Sequence, residues 1–209
     1  RIYLCVDGVH GFGVEDVNIP ELGCDFFCAG THKWIFGPRG TGIVWARQNA
    51  WDMINPTIPP FTDDPYFQWI GSKPIGPISF AQLQSPGGFH AFEHRWSLHA
   101  AFNFQLEIGK EKIQTRTRQL ATMVKEGIAE MSHVKSTTPM SAELSSGING
   151  FVVDGMTAEE VVKTFHHKGI IASGSPYADS IPRLTPCVIN TEDEVMASLT
   201  ALSEIRTTA

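Results

Sequence analysis

Within the first 46 residues, three short apolar runs end one after another in residues that do chemistry. Residues 2–6 (IYLCV) lead into Asp7, and His10 follows three positions later. Residues 24–29 (CDFFCA) lead into Thr31-His32-Lys33, and Gly37-Pro38-Arg39-Gly40-Thr41-Gly42 leads into a third run, 43–46. Short apolar runs bounded by glycine and polar residues read as buried strands, and ligands gather where such strands end. A carboxylate, an imidazole and a lysine are thereby expected at neighbouring strand ends. Taken singly, each has a plainer reading: a lysine after a strand is usually solvated, and Asp7-Gly8 is a common turn. The ordered set is what carries weight.

That set matches what pyridoxal 5'-phosphate (PLP) demands of a protein. A lysine amine forms a Schiff base with the cofactor aldehyde and afterwards moves the substrate proton. A carboxylate beside the pyridine nitrogen keeps it protonated, so that the ring can draw electrons. A polar neighbour fixes the tilt of the ring.

The segment resembles the class V aminotransferase family, in which an Asp-x-x-His/Gln motif precedes Ser-x-His-Lys and Gly-Pro-x-Gly-x-Gly. Asp7, His10, His32, Lys33, Gly37, Pro38, Gly40 and Gly42 match, while the family's serine falls on Gly30 with Thr31 beside it. Near the other end, Arg183-Leu184-Thr185-Pro186 followed by Asn190-Thr191 and Glu194 resembles the family's Arg-x-Ser/Thr-Pro…Asn-Thr-x-x-Glu pattern. The resemblance implies the PLP-dependent transferase fold, an α/β architecture. It implies catalytic roles for Lys33, Asp7 and His10, and cofactor contacts from Asp7, His10, Thr31, His32 and Lys33. Arg183 is expected to hold the substrate carboxylate as a bidentate fork. The expected activity is transamination of an amino acid through an external aldimine. The histidine of Asp-x-x-His leans toward the isopenicillin N epimerase-like branch, with epimerisation or C–S lysis on the same machinery as the alternative. The resemblance also implies a homodimer. With one residue before the first recognisable strand, the chain is expected to be the C-terminal portion of such an enzyme.

The remaining sequence divides accordingly. Residues 1–132 are expected to be a partial PLP-binding large domain and 133–209 a small C-terminal α/β domain. Between 55 and 90 lie most of the prolines, Pro74 among them, interleaved with aromatic residues. This reads as ordered loops; Ser72-Lys73 and the 85–88 turn are candidates for touching substrate or a second subunit. Residues 97–131 read as a linking helix, with Gly109 permitting a break. In the small domain, Thr157…Glu160 and Thr191…Glu194 have the spacing of helix-starting capping boxes. Strands are expected at 148–153, 170–172 and 181–185.

Other functions are weighed against this one. The stretch His90-Ala91-Phe92-Glu93-His94 matches H-x-x-E-H, so a zinc hydrolase centred on His90 and His94 is an alternative, as is a non-catalytic half kept for subunit pairing. In the family, this stretch is where a Gly-Thr pair reaches the partner's cofactor phosphate; here Arg95 is the anion donor in that place. No metal site is expected from Cys24, Cys28 and His32, because ligands four apart on a strand lie ~13 Å from one another. The cysteines are expected to be buried free thiols. None lies between Cys28 and Cys187, so the nucleophilic loop thiol of a cysteine desulfurase is not expected either. A net charge of −6 gives no footprint for nucleic acid, and no apolar run approaches the ~18 residues of a membrane helix.

Overall fold

The computed structural model describes residues 1–73 and 76–205, so Pro74 lies outside the described residues. The backbone divides into two compact units: residues 1–12 with 17–107, and residues 13–16 with 108–209.

The first unit is built on a three-stranded sheet of β1 (Cys5–Asp7), β2 (Phe26–Gly30) and β3 (Gly42–Ala46). β1 runs parallel to β2, pairing Asp7 with Cys28, and β3 returns antiparallel, pairing Gly30 with Gly42. The parallel pair is what brings two strand ends, and their polar residues, to one end of the sheet. Asp25, just before β2, ties the strand entrances: it accepts from Arg1 at 2.7 Å and from the Leu4 amide at 3.1 Å. Buried Phe27 anchors the sheet, meeting Phe12 edge-on at 6.0 Å between centroids, and Phe12 in turn meets Phe102 at 6.2 Å.

The described residues of the proline-rich stretch hold two short helices, α1 (Asp63–Trp69) and α2 (Phe80–Gln84). A capping box at Ser79 starts the second one. Gly87 hydrogen-bonds the Pro59 carbonyl at 2.9 Å, which seats the 85–88 turn on the chain itself. α3 (Phe92–Ile108) follows and starts five residues before the helix read from sequence.

Helix α4 (Lys110–Ala129) begins beyond a break at Gly109, φ 93°. The linking helix is therefore two helices, and the second lies in the second unit. Its buried face of Ile113, Leu120, Val124 and Ile128 recurs at helical spacing, so burial of that stripe places it there and not in the large domain. The compact units accordingly part near residue 108, where the sequence reading had 132.

In the second unit, β4 (Val134–Ser136), β5 (Asn149–Val153), α5 (Ala158–His167), β6 (Ser173–Gly174), β7 (Pro182–Leu184) and α6 (Glu192–Ser203) follow in order. The sheet order is β4-β5-β7-β6, every neighbour antiparallel. Both expected capping boxes are present, Thr157 with Glu160 and Thr191 with Glu194. The core joins Leu120 and Val124 of α4, Phe151 of β5, Phe165 of α5 and Leu199 and Leu202 of α6. Fully burying a side chain of this size contributes about 1.5–3 kcal/mol. Lys125 is buried with them, and its ammonium donates to the Met140 carbonyl at 2.8 Å, Ser145 Oγ at 2.9 Å and the Pro139 carbonyl at 3.3 Å. No described helix is long and apolar enough to cross a membrane.

Candidate active site

Asp7 closes β1, and its Oδ1 accepts the Val9 amide at 3.1 Å. The Gly8 amide adds one more rung to the parallel ladder, donating to the Cys28 carbonyl at 2.8 Å. Gly11 and Phe12 then donate back to the Gly8 carbonyl, so the chain curls directly after the strand and presents His10. From the neighbouring strand end, Lys33 reaches the same place: its Nζ lies 3.0 Å from His10 Nε2. Asp7, Val9, Gly30 and Ile43 share a shallow cavity of about 400 Å³ with Cys5 and Cys28.

Hydrogen-bond logic assigns the partners in the lysine–histidine contact. Trp34 Nε1 lies 3.3 Å from His10 Nδ1. An indole nitrogen can only donate, so Nδ1 is the acceptor in that contact. Nε2 is thereby left facing Lys33 Nζ at hydrogen-bond distance. The pair places an amine and an imidazole within hydrogen-bond reach of one another.

The loop carrying Lys33 is held from both sides. Gln105, buried in α3, donates to the Trp34 carbonyl at 2.6 Å, and Phe104 meets Phe36 edge-on at 5.9 Å. Phe36 itself has φ 61°, a left-handed conformation rarely taken by a bulky residue. Trp34 and Gln105 were not singled out from sequence. The one signal available was a glutamine at the centre of the apolar stretch FNFQLEI.

Thr31 stands apart from the expected cofactor contacts. Its side chain is fully buried, and its hydroxyl lies 2.5 Å from Thr41 Oγ1. Thr41 Oγ1 donates to the Pro38 carbonyl at 2.6 Å, so the Thr31 hydroxyl is the donor to Thr41. Backbone bonds from Thr31 to Thr41 and from Gly37 to Thr31 close the same loop. Thr31 is a strut for the Gly37–Gly42 segment and not an exposed phosphate donor. His32 is exposed, and its ring packs on Gly30, where a Cβ would stand 2.8 Å from it. Glycine in place of the family's serine leaves room for that imidazole.

Arg183 lies in the second unit on β7, opposite Ser173 of β6. One terminal nitrogen donates to the Gly174 carbonyl at 3.0 Å and to Ser173 Oγ at 3.3 Å. Its Nε is buried with no hydrogen-bond partner. A buried donor left without an acceptor is costly, which makes it a place for a ligand oxygen. The hairpin before Arg183 closes through Ser175 and Ile181, with Ser175 donating to the Ile181 carbonyl at 2.9 Å, and it carries no thiol.

The zinc arrangement is not formed. His90 precedes α3, so the two histidines do not share a helix face. His94 Nδ1 contacts the Arg39 carbonyl at 3.1 Å, and Arg95 donates to His90 Nε2 at 3.5 Å. Among the described residues no three His, Cys, Asp or Glu side chains converge as metal ligands. Instead His90, His94, Arg95 and Arg39 line a cavity of about 470 Å³ that has no carboxylate in its wall. Of the thiols, Cys24 is buried, Cys28 and Cys187 are half-buried, and Cys5 is exposed, contrary to the expectation of burial for all four. Burial pushes the Cys28 thiol up, with Cys5 and Asp7 adding to the shift, and burial likewise pushes Cys187 up.

Comparison with known proteins places these features in context. The family described as Aminotransferase class-V matches residues 1–195. A "Probable cysteine desulfurase" of Xylella fastidiosa (strain Temecula1) is 27% identical over 220 residues, covering 96% of this chain and 49% of the relative. Isopenicillin N epimerase of Streptomyces clavuligerus is 25% identical over 206 residues, covering 91% and 49%. Among solved structures, a C-DES mutant with glycine covalently linked to its PLP cofactor superposes with a TM-score of 0.84 at 21% identity, covering 98% of this chain and 52% of that one. The α/β fold is thus the one those proteins share. The chain spans about half the length of the relatives it matches.

Proposed function

The chain belongs to the class V aminotransferase family, and on that premise we propose that it is the lysine-bearing part of a PLP-dependent enzyme acting on an amino acid. The observation that carries this is the contact of 3.0 Å between Lys33 Nζ and His10 Nε2, which brings the amine and the imidazole of two neighbouring strand ends together. Asp7 closes the strand that leads to His10.

The donor set fits the cofactor. Lys33 supplies the amine for its aldehyde. Asp7 has one carboxylate oxygen on the Val9 amide, and the other suits the protonated ring nitrogen. His10, in contact with Lys33, is the group to orient the ring, and exposed His32 is the neighbour suited to the phosphate. PLP, when bound, supplies the electron sink that makes the amino acid's Cα proton acidic. Lys33 Nζ is then the base that takes and returns this proton, and His10 Nε2 keeps the amine oriented. Arg183 binds the substrate carboxylate through its unpartnered Nε, one terminal nitrogen being held by Ser173 and Gly174.

Transamination is the reaction we assign, with epimerisation or C–S lysis as the second reading. The second is favoured by the likeness to isopenicillin N epimerase, while the hairpin before Arg183 carries no thiol for the persulfide chemistry of a desulfurase. A homodimer is part of the proposal. The basic cavity of Arg39, His90, His94 and Arg95 suits an anionic group, and the phosphate of a second copy's cofactor is its proposed occupant.

The test is direct. After incubation of the full chain with PLP, borohydride should fix the cofactor to Lys33, and Lys33→Ala should abolish the labelling. Label on Lys73 or any other lysine refutes the assignment.

A further inference from the structure

Four residues after β1 belong to the other unit. Gly13–Asp16 fall in the second unit, although both flanks lie in the first. Val14 is buried there, at 1% exposure. Glu15 is held by three donors. Its Oε2 accepts from Gln114 at 2.7 Å and from Arg118 at 2.7 Å, both on α4, and its Oε1 accepts from Ser146 before β5. Asp16 adds an ion pair to Lys110 at 3.5 Å. Three charge-assisted hydrogen bonds on one carboxylate from two elements are more than a surface ion pair supplies.

The covalent neighbours of this latch are the residues of the site. Only Gly11 and Phe12 separate His10 from Gly13, whose φ of 89° puts it in the left-handed region open to glycine. We propose that Glu15 is a positioning residue: by clamping residues 13–16 to α4, it fixes the direction in which the short leash leaves His10, and thereby holds His10 against Lys33. This rests on the reading of Lys33 and His10 given above. Loosening the latch should therefore be felt at the lysine, although Glu15 touches neither cofactor nor substrate.

Hydrogen exchange on the full chain without cofactor tests this. Glu15→Ala and Arg118→Ala should each speed exchange of the Gly11 and Phe12 amides, both bonded to the Gly8 carbonyl, by about tenfold or more, while α5 and β5 exchange as in the parent. Glu15→Gln keeps an acceptor for Gln114 and Arg118, and should fall between the parent and Glu15→Ala. Unchanged exchange at Gly11 and Phe12 in either alanine variant overturns the proposal. Acceleration spread evenly over the second unit overturns it too, since that is what a purely structural loss produces. If PLP fails to reach Lys33 in the parent, the reading of the site falls, and the exchange rates still judge the latch.

Discussion

Replacing Thr31 with Val distinguishes a strut from a phosphate ligand. Valine keeps the shape of threonine, so the backbone bonds that close the 31–41 loop stay in place. What is lost is one buried O–H···O bond, the 2.5 Å contact from Thr31 to Thr41, whose own donation to Pro38 survives. Removing one partner of a buried neutral pair costs about 1–2 kcal/mol. At about 2–4 °C per kcal/mol for a chain of this size, the melting temperature should fall by about 2–8 °C. Had the hydroxyl instead donated to a phosphate, a charge-assisted bond of about 1.5–3 kcal/mol would be lost, weakening cofactor binding about 10- to 150-fold. The full burial of Thr31 favours the first outcome. A melt paired with a PLP titration followed by absorbance reads both numbers on one preparation. An unchanged melting temperature with cofactor affinity down by about tenfold or more would refute the strut.

Two further substitutions bear on the second unit. Arg183→Lys keeps the charge but loses the fork and its buried Nε, so KM for the amino acid should rise about 10- to 100-fold while cofactor absorbance persists; an unchanged KM would remove Arg183 from the substrate site. Burial lowers the pKa of Lys125 below its ordinary value of 10.5. The unfolded chain therefore binds more protons between the lowered value and 10.5, and stability should rise with pH through that interval. Lys125→Met should abolish the rise, and at neutral pH should cost about 1–3 kcal/mol by leaving the Met140 carbonyl and Ser145 without their donor. Urea titrations across the interval check both, and a rise that persists in Lys125→Met refutes the assignment.

The fold was legible where local signals agree with tertiary ones. The strand ends at Asp7 and Gly30 follow from apolar runs meeting glycine, and the helices after Thr157 and Thr191 start at reciprocal side-chain caps. β4, and the shift of the expected 170–172 strand to Ser173–Gly174, were not legible, because VKS and SG offer no apolar run to read. Of the candidate site, the meeting of Lys33 with His10 was implied by neighbouring strand ends. The burial of Thr31 was not, since a hydroxyl beside a catalytic motif reads the same whether it faces ligand or loop. Trp34 and Gln105 were missed because their roles arise from contacts across 24 and 71 residues. The latch at Glu15 is of that kind too.

That latch also sets an order of events during synthesis. Glu15 is separated by 103 residues from Arg118 and by 131 from Ser146. Translation at about 5–20 residues per second puts roughly 5–20 s between the appearance of Glu15 and that of Arg118. Closing a loop of about 100 residues then costs about 4 kcal/mol of chain entropy before any bond repays it. β1 to β3 can pair in that interval, because their partners have already emerged. The curl at His10 can close through its own bonds to the Gly8 carbonyl as soon as residues 8–12 emerge, while the Glu15 clamp beside it must wait for α4 and for Ser146.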